Sequence, residues 1–203
     1  MAERQVPFLP GRSYHVFNRG NNRDLIFYCR ENYRFFLERY RKYMCRYVDT
    51  FAYALMPDHF HLFIRLKPAE AIIAAARKDY ARLRTKPREA LDPGEIVGKR
   101  LADFMTSYTK AVIKWTRRVG SLLQKRTHRK AVDTAQYREV LVVYIHLNPT
   151  RYPLWLPFEA NPYTSYLDLA TERPTWLARN EVLAWFGGVD AFTKRHRAAL
   201  NAR

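Results

Sequence analysis

The sequence predicts an α+β fold in which an antiparallel sheet is covered by helices. Residues 59–66 follow the two-residue period of a strand, and only Pro57-Asp58 separates them from a second predicted strand at 49–56. So tight a connection indicates an antiparallel pair. Other segments repeat apolar residues every three to four positions, as amphipathic helices do. These three observations favour a mixed fold over an all-helical or all-strand one.

The N-terminal part follows the order strand, helix, strand pair, helix. Its predicted elements are a strand at 13–20 that ends in the polar turn 18–23, a helix with the stripe Tyr33, Phe36, Leu37, Tyr40, Met44 and Tyr47, the strand pair, and a helix at 69–80. This order is typical of a ferredoxin-like antiparallel sheet with helices on one face. The other face would then be left for a ligand.

The rest of the chain is predicted to be mainly helical. Two prolines and two glycines indicate a flexible connection at 85–98, which is followed by a basic helix at 101–118, a loop at 119–130 and a helix at 134–148 that Pro149 ends. Two short helices, at 176–186 and 191–200, follow a segment rich in Pro and Trp. We therefore expect one domain at 1–150, with its last helix at 134–148, and a C-terminal extension at 151–203 packed on it.

Composition limits the class of protein. The chain has 203 residues, of which 48% are hydrophobic, so it can bury a sizeable core. It shows no secretion signal at its start and no run of 18 apolar residues. Cys29 and Cys45 have no metal-binding spacing and are expected to be free thiols in a reducing compartment. A cytoplasmic, nucleoid-associated location is the resulting expectation.

Positive charge points to a polyanionic partner. The chain carries 36 Lys and Arg against 19 acidic residues, a formal charge of +17. Between Lys99 and Lys130 there are ten basic residues and a single acid, Asp103. A simpler interpretation is one amphipathic helix whose buried stripe is Leu101, Phe104, Met105, Tyr108, Val112 and Trp115, with cations on its wet face. That buried stripe does not explain why the charge is so one-sided. Each basic helix also has a role in the core, so none is available to lie on a membrane surface, and nucleic acid is the favoured partner.

Two motifs carry candidate chemistry. In the strand 59–66, His59 and His61 share one face and lie roughly 7 Å apart along it. In the helix 134–148, Tyr144 and Asn148 are four residues apart and share a face. If that helix covers the histidine face, two imidazoles and an amide oxygen surround a cation, with a phenol beside it. This combination suits attack on a phosphodiester.

Each motif alone has an ordinary explanation. A His-x-His pair is often just two half-exposed strand histidines. A helical tyrosine usually packs its ring in the core, and Asn-Pro is a common helix end. Only the two motifs together, in a very basic chain, favour a metal-dependent nucleic-acid enzyme.

Several segments resemble the REP-associated tyrosine transposases, which are single-tyrosine HUH transposases. The resemblance rests on Asn18-Arg-Gly-Asn-Asn-Arg23, Met56-Pro-Asp-His-Phe-His-Leu62, Gly120-Ser-Leu-Leu-Gln124, Tyr144-Ile-His-Leu-Asn-Pro149 and Pro162-Tyr-Thr-Ser-Tyr166, which span most of residues 12–186. It implies the HUH nuclease fold, with His59, His61 and Asn148 as metal ligands and Tyr144 as nucleophile. Residues 85–98 and 150–153 are less regular than the family pattern, which affects loop geometry.

The resemblance also implies a substrate and a cofactor. The substrate would be a single-stranded DNA hairpin, REP-like, with a short flanking sequence, and the metal would be Mg or Mn. The ligand types alone also permit zinc. The predicted DNA contacts are Asn18, Arg19, Asn21, Asn22 and Arg23 in the turn, Arg65 on the histidine strand, and Lys110, Lys114, Arg117, Arg118, Lys125, Arg126, Arg129 and Lys130 in the basic segment.

Two other functions remain open from the sequence. One is a noncatalytic nucleic-acid-binding regulator, which has no need of all four candidate site residues. The other is a replication initiator or relaxase, which usually has additional domains. The oligomeric state is expected to be a monomer or a homodimer.

Overall fold

A computed structural model describes residues 6–83, 92–151 and 157–202. Its strands and helices are, in chain order, β1 (Ser13–Arg19), α1 (Arg30–Met44), β2 (Val48–Met56), β3 (His59–Leu66), α2 (Ala69–Leu83), α3 (Pro93–Thr116), β4 (His128–Ala131), α4 (Ala135–Leu147), α5 (Tyr166–Ala170), α6 (Arg179–Phe186) and α7 (Val189–Asn201). Within this described part of the chain, no helix is long and apolar enough to cross a membrane.

The four strands form one antiparallel sheet in the order β2-β3-β1-β4. This is the strand order of the ferredoxin-like fold, so the predicted fold class is confirmed. The fourth strand was not predicted, because His128–Ala131 falls inside the segment expected to be a loop. It is short, carries three basic or imidazole side chains and pairs with β1 alone, so it lacks the apolar alternation that marks a buried strand.

The two faces of the sheet are covered by different helices. On one face, Phe60 of β3 contacts Phe36 of α1, which in turn contacts Phe104 of α3. On the other face, His61 contacts Tyr144 of α4, and Phe63 contacts Trp185 of α6. The predicted alternation along β3 is therefore confirmed. The helix with Tyr144 lies on the histidine face, as the proposed constellation requires.

Helix α3 begins earlier than the sequence pattern indicated. Asp92 accepts a hydrogen bond from the Glu95 amide at 2.7 Å, and Pro93 occupies the first helical position, so these two residues start the helix. The prediction of a connection at 85–98 is thus wrong for residues 93–98, while residues 85–91 lie outside the described part. Trp115 is also 58% exposed and does not continue the buried stripe.

The C-terminal segment covers the edge of the sheet at β2. The Leu55 amide donates to the Tyr163 carbonyl at 2.9 Å, and the Ser165 amide donates to the Tyr53 carbonyl at 3.0 Å. Farther along β2, the Ala178 amide donates to the Thr50 carbonyl at 3.0 Å. Backbone groups that an edge strand would otherwise present to solvent are thereby paired. Helices α6 and α7 confirm the two predicted C-terminal helices, and the short α5 was not predicted.

Candidate active site

A cleft of about 260 Å³ opens on the histidine face of the sheet. Strand β1, strand β3, helix α4 and the segment before β4 all contribute to its wall. Its lining residues are Phe17, Asn18, Arg19, His59, Phe60, His61, Gln124, His128 and Tyr144. The cleft brings together the predicted histidines and the predicted tyrosine from segments about eighty residues apart in the chain.

His59 is positioned by a carboxylate. Its Nδ1 lies 2.6 Å from Oδ1 of Asp58, and Oδ2 of the same carboxylate accepts from the Arg19 guanidinium at 3.0 Å. An imidazole that donates one N–H to a carboxylate has its ring orientation and tautomer fixed. With Nδ1 engaged in this way, coordination of a metal by His59 would use Nε2.

His61 lies deeper in the cleft, at 7% exposure. Its Nδ1 is 2.8 Å from Nε2 of His15, and its Nε2 is 3.3 Å from the side-chain nitrogen of Asn148. Burial, with a smaller effect of the nearby Lys130 charge, lowers the pKa of His15 to about 4. His15 is therefore neutral near pH 7 and leaves an imidazole nitrogen able to accept a hydrogen bond.

Tyr144 and Asn148 are presented by α4. The Thr134 hydroxyl accepts from the Tyr137 amide at 3.2 Å and so caps the start of the helix, while Asn148 forms its C-cap just before Pro149. The four-residue spacing places both side chains on one face, as predicted. The Tyr144 ring centroid is 5.6 Å from that of His61 and 6.2 Å from that of His15.

Tyr108 is a poor alternative nucleophile. Its ring is fully buried, and its hydroxyl donates to the Ile26 carbonyl at 2.6 Å. Burial raises the pKa of Tyr108 well above its usual value, because the phenolate would lose its hydration. Tyr144 is half-buried and lines the cleft, so the geometry favours it.

A buried imidazole pair holds α4 against the C-terminal helices. Nδ1 of His146 lies 2.9 Å from Nε2 of His196 on α7, and Nε2 of His146 lies 2.8 Å from the Ser165 hydroxyl. His196 Nδ1 in turn donates to the Phe192 carbonyl at 2.8 Å. Burial lowers the pKa values of His146 and His196, that of His196 to about 4. The helix with the candidate nucleophile is thus fixed from its far side.

The donor set fits a divalent metal. Among the described residues no group of three or more His, Cys, Asp and Glu is arranged to hold an ion. A site built on His59 and His61 therefore needs a third donor of another kind, and Asn148 is in contact with His61. Half a turn of the Asn148 amide exchanges its nitrogen for its oxygen, so a two-histidine, one-amide set is within reach.

The turn at 18–23 is only partly available to DNA. Asn18 is 3% exposed, and its amide donates to the Gln124 carbonyl at 3.2 Å and the Thr127 hydroxyl at 3.1 Å. Asn18 thus ties β1 to the segment before β4, which favours a structural role over base contact. Asn21 is half-buried, and Asn22 and Arg23 are exposed with left-handed backbone angles, φ 54° and φ 61°. Gly20 is required here, because a Cβ would collide with the Asp24 carbonyl.

The predicted cationic contacts also separate into two groups. Arg65 donates to Glu181 at 2.5 Å and to Asp49 at 2.9 Å, and Arg118 donates to Asp24 at 2.7 Å, so both are engaged in the fold. The Arg129 guanidinium lies 4.2 Å from the Phe8 ring centroid and contacts the Val6 carbonyl. The remaining cations are exposed: Lys110, Lys114, Arg117, Lys125, Arg126 and Lys130.

A second, larger groove adjoins the cleft. Its volume is about 940 Å³, and it runs between α3 and residues 121–127. Asn18 and Gln124 line both concavities, so the two are continuous. Lys125 and Arg126 lie along the groove, while Leu101 and Met105 contribute an apolar wall. The arrangement offers a path for a strand whose phosphates contact cations and whose bases contact apolar surface.

Four residues of the site were not predicted from the sequence as site residues. Gln124 and His128 line the cleft, and Asp58 and His15 contact the two candidate histidines. Asp58 adjoins the histidine motif, and its proximity to His59 was the one available signal. His15 is opposite Phe63 and next to Phe17, which pairs with His61, so only the strand register brings it to the site. His128 stacks on Phe17 with centroids 5.4 Å apart, on the strand that was not predicted.

The fold matches that of a solved structure of a REP-associated tyrosine transposase bound to a REP hairpin. The two share 16% sequence identity, with a TM-score of 0.57, and the match covers 87% of this chain and 90% of the other. No protein-family model and no curated protein sequence matches the chain. The resemblance found in the sequence is thus confirmed at the level of the fold.

Proposed function

We propose that the chain is a metal-dependent single-stranded DNA endonuclease and transposase that cleaves and rejoins DNA at REP-like hairpins. The observation that carries the proposal is the convergence of Tyr144, His61 and Asn148 in one cleft. It occurs in a chain that shares its fold with a transposase solved with a REP hairpin.

DNA is supported as the substrate by charge and by shape. The formal charge of +17 favours a polyanion, and exposed cations lie beside the groove that continues from the cleft. Because the phosphate has to reach Tyr144 inside a narrow cleft, a single strand enters more readily than a duplex. A hairpin with an unpaired flank satisfies both requirements, and the structure neighbour was solved with a REP hairpin.

A divalent cation, Mg or Mn, would be held by His59, His61 and Asn148. When bound, such an ion neutralises the charge of the scissile phosphate and makes phosphorus more electrophilic. Asp58 holds His59, and His15 contacts His61, so the protein itself fixes the two imidazoles. Both imidazoles project from β3, which is paired on both sides, by β1 and by β2.

The chemistry at Tyr144 is a transesterification. The phenolic oxygen loses its proton to a base or to water and forms a bond to phosphorus, while the bond from phosphorus to the 3'-oxygen breaks and that oxygen takes up a proton. The products are a 5'-phosphotyrosine and a free 3'-hydroxyl. The covalent bond conserves the energy of the phosphodiester, so attack by a 3'-hydroxyl rejoins the DNA without ATP.

Replacement of the nucleophile tests this proposal. Tyr144→Phe should keep hairpin binding but abolish both cleavage and the covalent adduct, because only the attacking oxygen is removed. Tyr137→Phe is the matched control, since Tyr137 is an exposed tyrosine on the same helix. The assay uses a labelled hairpin with a single-stranded flank, with Mn²⁺ or with chelator.

Mass spectrometry can locate the adduct without ambiguity. Trypsin cuts after Arg138 and Arg151, and the peptide Glu139–Arg151 contains Tyr144 as its single tyrosine. We expect the nucleotide mass on that peptide in the parent chain and in Tyr137→Phe. An adduct on another peptide, or one that persists in Tyr144→Phe, would contradict the assignment. Hairpin binding with no adduct in any chain would instead support the noncatalytic regulator.

A further inference from the structure

We propose that His15 is a positioning residue that sets the tautomer of His61, so that Nε2 of His61 is unprotonated and would be able to hold a divalent metal. The inference rests on the proposed function and deepens it. His15 contacts His61 at 2.8 Å and is not itself one of the candidate ligands. It acts through His61, across the β1–β3 pair.

The directions of two hydrogen bonds support this role. In the orientation that the structure gives the Asn148 amide, its nitrogen faces Nε2 of His61 at 3.3 Å; because an amide nitrogen can only donate, Nε2 then acts as the acceptor. A neutral imidazole carries one proton, which must then be on Nδ1 of His61. That N–H points at Nε2 of His15, 2.8 Å away, which therefore accepts. The chain of bonds Asn148, His61, His15 has a single consistent direction.

Burial makes the contact with His15 strong enough to select a tautomer. His15 is 6% exposed and His61 is 7% exposed, so water does not compete readily for either nitrogen. The two rings lie 4.9 Å apart at an interplanar angle of 30°, and Phe17 and Tyr144 pack around them. Neither ring can turn without disturbing a packed neighbour.

The two candidate metal histidines thus have different partners. His59 donates to the Asp58 carboxylate, whose charge is partly balanced by Arg19, whereas His61 contacts a neutral imidazole. A second carboxylate at His61 would reduce the attraction of the site for a DNA phosphate. A neutral acceptor fixes the ring and adds no negative charge. This chemistry explains why a histidine suits position 15.

The first experiment needs no substitution and no metal. Long-range ¹H–¹⁵N correlation spectra of chain labelled at its histidine ring nitrogens report which nitrogen of each imidazole is protonated. We expect His61 to carry its proton on Nδ1 in the metal-free protein at pH 7.5. A proton on Nε2 of His61 would overturn the inference, whatever the function of the chain.

Two substitutions at the same position give the second experiment. In His15→Gln, the side-chain oxygen can still accept from Nδ1 of His61, whereas His15→Leu fills the space without an acceptor. We expect the Nδ1–H tautomer to remain in His15→Gln and to give way to a mixture in His15→Leu. Mn²⁺ affinity, measured by calorimetry, should fall about 10- to 100-fold in His15→Leu and far less in His15→Gln.

The outcomes separate this inference from the proposed function. If the parent chain binds no Mn²⁺ but His61 changes tautomer in His15→Leu, the metal proposal fails while the positioning role of His15 holds. If His15→Leu folds, keeps the Nδ1–H tautomer of His61 and binds Mn²⁺ as the parent does, the role assigned to His15 is wrong. Thermal unfolding of both variants checks that they are folded.

Discussion

At the scale of single residues, the candidate site depends on side chains that hold other side chains in place. Asp58 orients His59, His15 contacts His61, and the cap at Thr134 fixes the start of the helix that carries Tyr144. The histidine pair and the Tyr-Asn pair could be predicted, because each lies within one element and obeys its period. His15 could not, because a lone histidine in an alternating strand carries no signal of its cross-strand neighbour.

The metal ligands should differ in importance. His59→Ala and His61→Ala each remove an imidazole, so we expect metal-dependent cleavage to fall by more than about 100-fold. This loss exceeds the one that usually follows when a residue that only hydrogen-bonds to a metal ligand is replaced. Asn148→Ala should lose less, about 10-fold, since an amide oxygen is the weaker ligand. Asn148→Asp restores an oxygen donor and should recover part of that loss. Rates measured over a Mn²⁺ titration compare all four.

The same titration contains its own control. Chelator should abolish cleavage by the parent chain. High Mn²⁺ should partly rescue Asn148→Ala, because the variant keeps both histidines and its affinity for the metal is weakened but not lost. Full activity of both histidine variants in chelator would show that the cleft uses no metal at these residues.

At the scale of elements, the ends of a strand or helix could be predicted where the sequence marks them with strong turn, capping or alternation patterns. Strand β3 has the predicted bounds 59–66, because the Pro57-Asp58 turn and strict alternation define both its ends. Strand β4 was missed because a short edge strand of charged residues has no apolar face. The start of α3 did have a signal, Asp92 followed by Pro93, which the count of prolines and glycines in that stretch obscured.

The exposed cations around the groove should act on DNA without regard to sequence. Replacing Lys125, Arg126 and Lys130 with Gln should weaken binding to cognate and scrambled hairpins alike, and should flatten the salt dependence by roughly 0.7 per lost phosphate contact. The three side chains lie on the segment that lines the groove or on β4 beside the cleft. Affinities for both hairpins at several salt concentrations provide the measurement.

Arg118→Gln serves as the comparison for that experiment. Because Arg118 is held by Asp24, its loss should disturb the turn that follows Gly20 rather than the salt slope. If the triple variant lost only cognate binding at an unchanged slope, the groove cations would be base readers instead of phosphate contacts.

The exposed end of the turn should behave in the opposite way. Asn22 and Arg23 extend from left-handed positions, and Arg19 of the same segment lines the cleft. We expect Arg23→Ala to weaken binding of the cognate flank more than that of a scrambled flank, because a guanidinium near the cleft can contact base edges. Equal losses for both flanks, measured by competition, would assign Arg23 to the backbone.

At the scale of the whole molecule, the C-terminal segment completes the fold and is more than an appendage in its contacts. It pairs with the edge of β2 through Tyr163 and Ser165, and it contacts α4, the helix with Tyr144, through His196. The sequence could indicate helices there, but not these contacts. Single histidines and the Pro162-Tyr-Thr-Ser segment have no period from which a partner could be inferred.

Buried imidazoles should make stability depend on pH. The pKa values of His15 and His196 are lowered to about 4 in the folded chain, mainly by burial, whereas unfolded histidine titrates near 6.5. Between these values the unfolded state binds more protons, so stability falls as the pH decreases from about 6.5 to 4. For one such histidine the loss is about 2 kcal/mol by pH 5.

Urea unfolding between pH 5 and 7.5 measures this effect, and His196→Gln isolates one contribution. Glutamine does not titrate but can still hydrogen bond to His146, so the variant should be less sensitive to acid than the parent. Equal loss of stability in the two chains would show that His196 has the same pKa in the folded and unfolded states, which would contradict the prediction.

The buried imidazole pair of His146 and His196 also has a consequence for the order in which the protein is synthesised on the ribosome. The two residues are 50 positions apart, and translation proceeds at about 5–20 residues per second. For several seconds, a growing chain already contains Tyr144, His59 and His61 but lacks α7, which contacts the helix that carries Tyr144. The candidate site is thus synthesised before the helix that holds α4 in place.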